Sequence, residues 1–216
     1  MRLLLFIQVY VMIKRSDIKQ EDIIRSAIEV FSQKGFNQAS MEGISKHAGV
    51  SKRTLYKYYP NKEALFDVIV DNLMCRFHEQ CEVEFEPSQP VDQQLLEFTL
   101  KQMCYISNQD FQITARLVMA ECIRCQETSK LLVSKFESIE DSYGLQRWAQ
   151  QGIDAGVLEI PDIGTAIEQY IGSIKAVIFW PQLIAHLPPP TCQQVEQAVK
   201  MAVASFVATY QVNANK

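Results

Sequence analysis

Histidine is nearly absent from this chain, with three in 216 residues, at 47, 78 and 186, scattered so that no acid–base pair stands out. The chain also has no glycine-rich phosphate loop, no G-x-S-x-G and no H-E-x-x-H. The spacings that cradle nucleotides, activate a serine or hold a catalytic zinc are therefore missing, and no enzyme is expected. Alternation of apolar and polar residues at period two is lacking too, which leaves no candidate strands. Six cysteines (75, 81, 104, 122, 125, 192) follow no disulfide framework and are read as reduced thiols. Cys122-Ile-Arg-Cys125 has no second C-x-x-C to complete a metal site, and Cys75 and Cys81 lie about 120° apart on a helix. Neither a metal nor a cofactor is expected.

Long apolar runs are missing apart from the opening MRLLLFIQVYV. That run is far short of the ~20 residues that span a bilayer. It also lacks a small-residue cleavage site and meets Lys14-Arg15 at once. Residues 1–13 are expected to be a disordered extension or the product of a start codon assigned too early, with Met12 as the initiator. Nothing else suggests membrane or export, so the cytoplasm is the expected location.

The distribution of charge is more informative than its total. The chain carries −4 overall, yet residues 14–62 hold ten Lys and Arg against five acids, net +5. The remainder holds eleven basic against twenty acidic residues, net −9. A basic N-terminal quarter on an acidic body is an electrostatic footprint for DNA joined to a second function.

Within that quarter, SMEGISKHAGVSKRTLYKYYPNKEALF (40–66) reads as two short helices, Met41–Ala48 and Lys52–Tyr59, around the turn Gly49-Val50-Ser51. Gly49 suits a left-handed helix end, Ser51 can cap the second helix, and Asn61 can cap a third after Pro60. At 100° per residue from Lys52, Leu55 and Tyr59 fall at about 300° and 340°, one buried stripe. Arg53 and Lys57 fall on the opposite face, flanked by Thr54, Tyr56 and Tyr58. A helix with an apolar back and a Lys/Arg/Tyr/Thr front suits the major groove.

The rest reads as helix: roughly 17–34, where Gly35 ends the helix and Phe36 folds back, then about 62–85, 91–107, 110–125, 127–155, 162–186 and 192–211. The expected architecture is all-α, about nine helices, with a three-helix head and a larger helical domain. FEPSQP (85–90) marks the boundary, giving 14–62 as the DNA-binding head, 63–86 as a connecting helix and 87–216 as the C-terminal domain.

GVSKRTLYKYYPNKEALF resembles the helix-turn-helix signature of the TetR family of bacterial transcriptional regulators, in sequence and in distance from the N-terminus. RLVMAE (116–121) and RWAQQGIDAGVLEIPDIGTAIEQYIGSIKAVIFW (147–180) resemble, more loosely, the C-terminal half of the AefR-like subgroup. The resemblance implies a phosphate contact for the Ser40 hydroxyl, base-edge contacts for Lys52, Arg53 and Thr54, and phosphate contacts for Tyr56 and Tyr58. It places Lys57 toward the groove and Lys62 on a phosphate. An isolated cation in the first turn of a helix opposes the macrodipole, which a bound phosphate would relieve.

One reading head makes too few contacts for tight binding, so a homodimer on a palindromic operator is expected, its heads ~34–36 Å apart. The ridge Ala198, Ala202 and Ser205, with Phe206, and the apolar helix around Ile174 and Ile178 are the expected dimer seam, forming an intermolecular four-helix bundle. An effector pocket of unknown ligand is expected among Met103, Phe111, Met119, Cys122, Trp148, Tyr170, Phe179 and Trp180, with Arg116 and Glu121 as polar anchors. A ligand-responsive repressor is the reading these expectations add up to. The alternatives are an activator of the same family and a helical small-molecule-binding protein that does not bind DNA.

Overall fold

A computed structural model of the chain describes residues 19–137 and 144–212. The extension expected over 1–13, with Met12, Lys14 and Arg15, lies outside the described residues. Among the described residues the fold is all-α, eleven helices in succession, with one isolated bridge between Leu158 and Gln211. The chain divides into two compact units. One runs to Asn72 and includes Leu117–Cys125, and the other comprises Leu73–Arg116 and the residues from Gln126 onward.

In the first unit, α1 (19–34) buries Ile23, Ala27, Val30 and Phe31. It stops at Gly35, whose φ of +76° belongs to glycine, and Phe36 folds back with its ring 5.3 Å from that of Phe31. Then come α2 (Met41–His47), α3 (Lys52–Tyr58) and α4 (Lys62–His78), whose residues after Asn72 belong to the second unit. Gly49 takes φ +64° between α2 and α3, and each helix start is finished by its own side chain. Ser40 accepts from the Gly43 amide, Ser51 from Thr54 and Asn61 from Ala64, at 3.1, 3.1 and 2.7 Å. Each cap satisfies an amide the helix leaves without a partner.

α4 ends at His78, seven residues before the expected 85. Residues 81 to 86 belong to no helix, and Phe85 there meets the Trp148 ring at 5.6 Å and donates its amide N–H to the Gln151 side chain at 2.9 Å. The second unit continues with α5 (Val91–Ile106), the first half of α6 (Gln109–Arg124), α7 (Gln126–Glu137), α8 (Leu145–Asp154), α9 (Ile163–Ile178), α10 (Trp180–Ala185) and α11 (Cys192–Tyr210). α11 packs along α5 and α9. Gln94 on α5 holds the proline loop: its amide oxygen accepts from the Glu86 N–H at 2.8 Å, and its NH2 donates to the carbonyls of Glu86 and Gln89 at 2.8 and 2.9 Å.

Two expected long helices are broken, which raises nine to eleven. The expected 127–155 helix is interrupted at Gly144, with φ +70°, where a Cβ would sit 1.7 Å from the Cys81 carbonyl oxygen. The expected 162–186 helix is interrupted at Phe179 by Pro181, which has no N–H to give and whose ring would collide with the carbonyl one turn back. Leu183 renews the pattern by donating to the Phe179 carbonyl at 2.9 Å. No described helix is long and apolar enough to cross a membrane.

Candidate nucleic-acid interface

The sequence of α3 dictates which side faces out. Leu55 and Tyr59 are buried and burial pushes the Tyr59 phenol up in pKa, while Lys52, Arg53, Tyr56 and Lys57 are exposed, Tyr56 by 51%. The Lys57 ammonium lies 5.6 Å from the Tyr58 ring centroid, so cation and phenol share one edge of the helix. Arg53 stands at the second position of the helix with its guanidinium fork exposed, the geometry that can grip a guanine edge in two places.

The hydroxyls expected on DNA are already placed by the caps. Ser40 accepts from Gly43, so its own O–H remains to donate outward. Thr54 shares a 2.8 Å hydrogen bond with Ser51. Lys52 forms a 2.8 Å ion pair with Glu42 in the first turn of α2, and that lysine holds the Glu42 carboxyl below the usual carboxylate range. Nothing in the sequence spacing marks this pair, because its members stand ten positions apart on either side of a turn. His47 bonds the Glu29 carboxylate of α1 through its Nε2.

Lys62 has two backbone partners within the head. Its Nζ donates to the carbonyls of Phe36 and Asn37 at 3.0 and 3.1 Å and lies 4.6 Å from the Phe36 ring centroid. Two carbonyl dipoles thus meet the cation that the helix dipole disfavours.

The dimer-seam candidates separate by exposure. Ile174 and Ile178, 1% and 0% exposed, are closed inside the chain and have no surface left to offer a partner, which corrects their expected role. They share a core stripe with Ile167, Tyr170 and Ile171, so the outer face of α9 falls to Gln169, Ser173 and Val177. Val177 on α9 and Met201 on α11 are 55% and 66% exposed and flank an open groove of about 370 Å³. Ala198, Ala202, Ser205 and Phe206 line that groove, Ala202 and Phe206 as its buried floor.

The effector candidates are distributed over both units. Met119, Glu121 and Cys122 belong to the first, where Arg124 grips the buried Glu121 carboxylate with two hydrogen bonds. Burial pushes the Cys122 thiol up, with Glu121 and Cys125 adding to the shift. In the second unit Met103 and Trp148 are fully buried, and the Trp148 indole donates to Gln94 at 3.4 Å. Tyr170 shares a 2.8 Å hydrogen bond with Thr99 and alone among the ten lines the α9–α11 groove. Phe111 meets Tyr105 and Phe179 at 5.2 and 6.4 Å, and Phe179 meets the half-exposed Trp180 at 5.0 Å. Arg116 donates to the Gln182 and Leu183 carbonyls at 2.9 and 3.0 Å, tying α6 to α10. Among the described residues no group of three metal-ligating side chains gathers.

Comparison with known proteins places this geometry. Residues 23–69 match the family model of bacterial regulatory proteins, tetR family, and residues 93–212 match that of the AefR-like transcriptional repressor C-terminal domain. An uncharacterized HTH-type regulator of Bacillus subtilis, YvdT, is 43% identical over 61 residues, 28% of this chain and 31% of that protein, so the match spans about a third of it. The HTH-type transcriptional regulator UidR of Escherichia coli K12 is 29% identical over 153 residues, 67% of this chain and 71% of that one. A crystal structure of a TetR family regulator from Pseudomonas syringae superposes with a TM-score of 0.80 at 27% identity, covering 91% of this chain and 98% of the other.

Proposed function

The chain belongs to the TetR family, as a helix-turn-helix DNA-binding transcriptional regulator, and on that premise we propose that it is a homodimeric repressor released from a palindromic operator by a small-molecule effector. The observation that carries the DNA contact is the exposed front of α3: Arg53, Tyr56 and Lys57 stand opposite the buried Leu55 and Tyr59. Arg53 reads a base edge with Lys52 and Thr54 beside it, while Ser40, Tyr56 and Tyr58 hold phosphates and Lys57 enters the groove. The α9–α11 groove supports the homodimer, since Val177 and Met201 offer apolar surface beside the small residues Ala198 and Ser205.

The C-terminal domain takes up the effector and does no catalysis, and the protein acts in the cytoplasm. Effector binding favours a spacing of the two heads that no longer fits successive major grooves. Linkage then requires DNA to weaken effector binding by the same factor as effector weakens DNA binding. Fluorescence anisotropy with duplexes tiled across the region upstream of its own gene tests the reading. One segment should bind far more tightly than scrambled DNA, and transcription from that promoter should fall as protein is added. Equal binding to every duplex would defeat the operator assignment, and rising transcription would make the protein an activator.

A further inference from the structure

We propose that Gln112 and Gln182 are the two polar anchors of a small-molecule site in the second unit, and that its ligand is a neutral aromatic carrying two hydroxyl donors. The two glutamines are only 4% and 7% exposed, and neither side-chain oxygen has a donor among the described residues. A buried acceptor left unmet loses its hydration and gains nothing in return, a loss that a bound donor makes good. Gln112 cannot escape by turning its amide over. Its NH2 donates at 2.7 Å to the carbonyl of Ile106, the last residue of α5, and an inverted amide would set oxygen against oxygen there.

Both glutamines belong to the junction of α6 with α10. Gln112 and Arg116 stand one turn apart on α6 and share a face, their Cβ atoms about 5–6 Å apart. Arg116 ties that face to α10, donating from Nη2 to the Gln182 carbonyl at 2.9 Å and from Nε to the Leu183 carbonyl at 3.0 Å. Those bonds go to the main chain, and neither serves a glutamine side chain. Aromatic rings stand at the same junction. Phe111, beside Gln112, lies 5.2 Å from the Tyr105 ring and 6.4 Å from that of Phe179, which is three residues before Gln182.

Charge then selects among ligands. The Arg116 guanidinium is met by carbonyls, so its positive charge stays uncompensated and disfavours an ammonium. Two acceptor oxygens with no hydrogen to give disfavour a carboxylate. Neutral hydroxyls give each oxygen its hydrogen bond, and the ring that carries them can pack edge to face on the aromatic side chains.

The inference rests on the reading that the second unit takes up a small molecule, and the experiment separates the two. Full-length wild type, Gln112→Leu, Gln182→Leu and the double variant are titrated calorimetrically with the dihydroxynaphthalene isomers, their mono- and dimethyl ethers, and a naphthalene bearing two aminomethyl groups. Thermal unfolding of each protein is recorded. In wild type at least one diol should bind at least about tenfold more tightly than its dimethyl ether, with the monoether between them. Each single variant should lose part of that advantage and the double variant all of it. Gln182→Leu should melt no lower than wild type, since it removes an acceptor that nothing serves. A diol no tighter than its dimethyl ether, a preference unchanged in the variants, or a diamine that binds more tightly than the diol would each overturn the proposal. A lower melting temperature in Gln182→Leu with diol preference intact would make that oxygen part of the fold, served by water, and overturn it equally. If Gln112→Leu, which also gives up the Ile106 bond, does not fold, Gln182→Leu is scored alone by the same preference. Diol binding that meets these expectations yet leaves operator affinity unchanged would keep the site and defeat effector release instead.

Discussion

In the head, the fastenings of each helix start lie three residues from what they hold: Ser40 on Gly43, Ser51 on Thr54 and Asn61 on Ala64. The second unit has caps of the same kind, Asp162 on Thr165 and Thr191 on Gln194, but adds fastenings that reach across the sequence, from Thr99 to Tyr170, from Gln94 to Trp148, and from Arg116 to Gln182 and Leu183. The first kind survives wherever a short motif survives. The second needs two distant residues to be right together, and many other pairs would do as well. The two kinds therefore constrain the sequence over different ranges. It also means that damage in the head should stay local, whereas damage to the outer face of the second unit should act through assembly.

The largest expected effect breaks the comparison on the side of assembly. Val177→Glu combined with Met201→Glu leaves the single chain intact, since both side chains are exposed in it, but buries unpaired charges costing several kcal/mol in the proposed seam. Light scattering should report monomer, and operator affinity should fall by at least about a hundredfold because two heads no longer bind as one. A dimer that persists at micromolar concentration would place the seam elsewhere.

Arg53→Ala comes next and sharpens the head's share. It should lose about 1–3 kcal/mol, confined to one base position in each half-site, read by binding to a set of singly substituted operators. A loss spread evenly over all sequences would move Arg53 to the phosphates. Ser51→Ala should then cost about 1 kcal/mol of stability in chemical unfolding, since the Thr54 amide loses its cap, with the oligomeric state unchanged.

The smallest effect concerns Lys52. Glu42→Gln should release it from its ion pair and raise affinity for scrambled DNA by less than about fivefold, with a slightly steeper salt dependence. The same release should follow acidification. The carboxyl pKa is lowered by Lys52, so the pair is whole above the usual carboxylate range and is lost as pH falls through that lowered value. Unchanged scrambled-DNA affinity in Glu42→Gln would mean that the ion pair does not hold Lys52 back from DNA.

The reading of the head from sequence succeeded where a rule acts over three or four residues. The positive φ at Gly49, the caps and the Leu55–Tyr59 stripe are all of that kind, and the all-α class followed from the absent alternation. Lys62 escaped because its partners are backbone carbonyls 25 and 26 residues away, and carbonyls leave no mark in a sequence. Pro181 was visible, but reading 162–186 as one amphipathic helix let apolar periodicity override a residue that cannot donate. The same continuity put Ile174 and Ile178 on the wrong face, since an apolar helix does not say which stripe the rest of the chain will cover. Residue type alone does not distinguish core from cavity, and the ten effector candidates accordingly fall in both units.

The inclusion of Leu117–Cys125 in the same compact unit as the head has a consequence for biosynthesis. Domains fold as they leave the ribosome, and the chain grows at about 5–20 residues per second. The 53 residues between Asn72 and Cys125 (125 less 72) therefore take roughly 3–10 s to make. During that interval a nascent chain presents the helix-turn-helix before the unit that contains it is complete. The finished unit, and with it any DNA-binding competence that needs the later segment, becomes available only once Cys125 has been added.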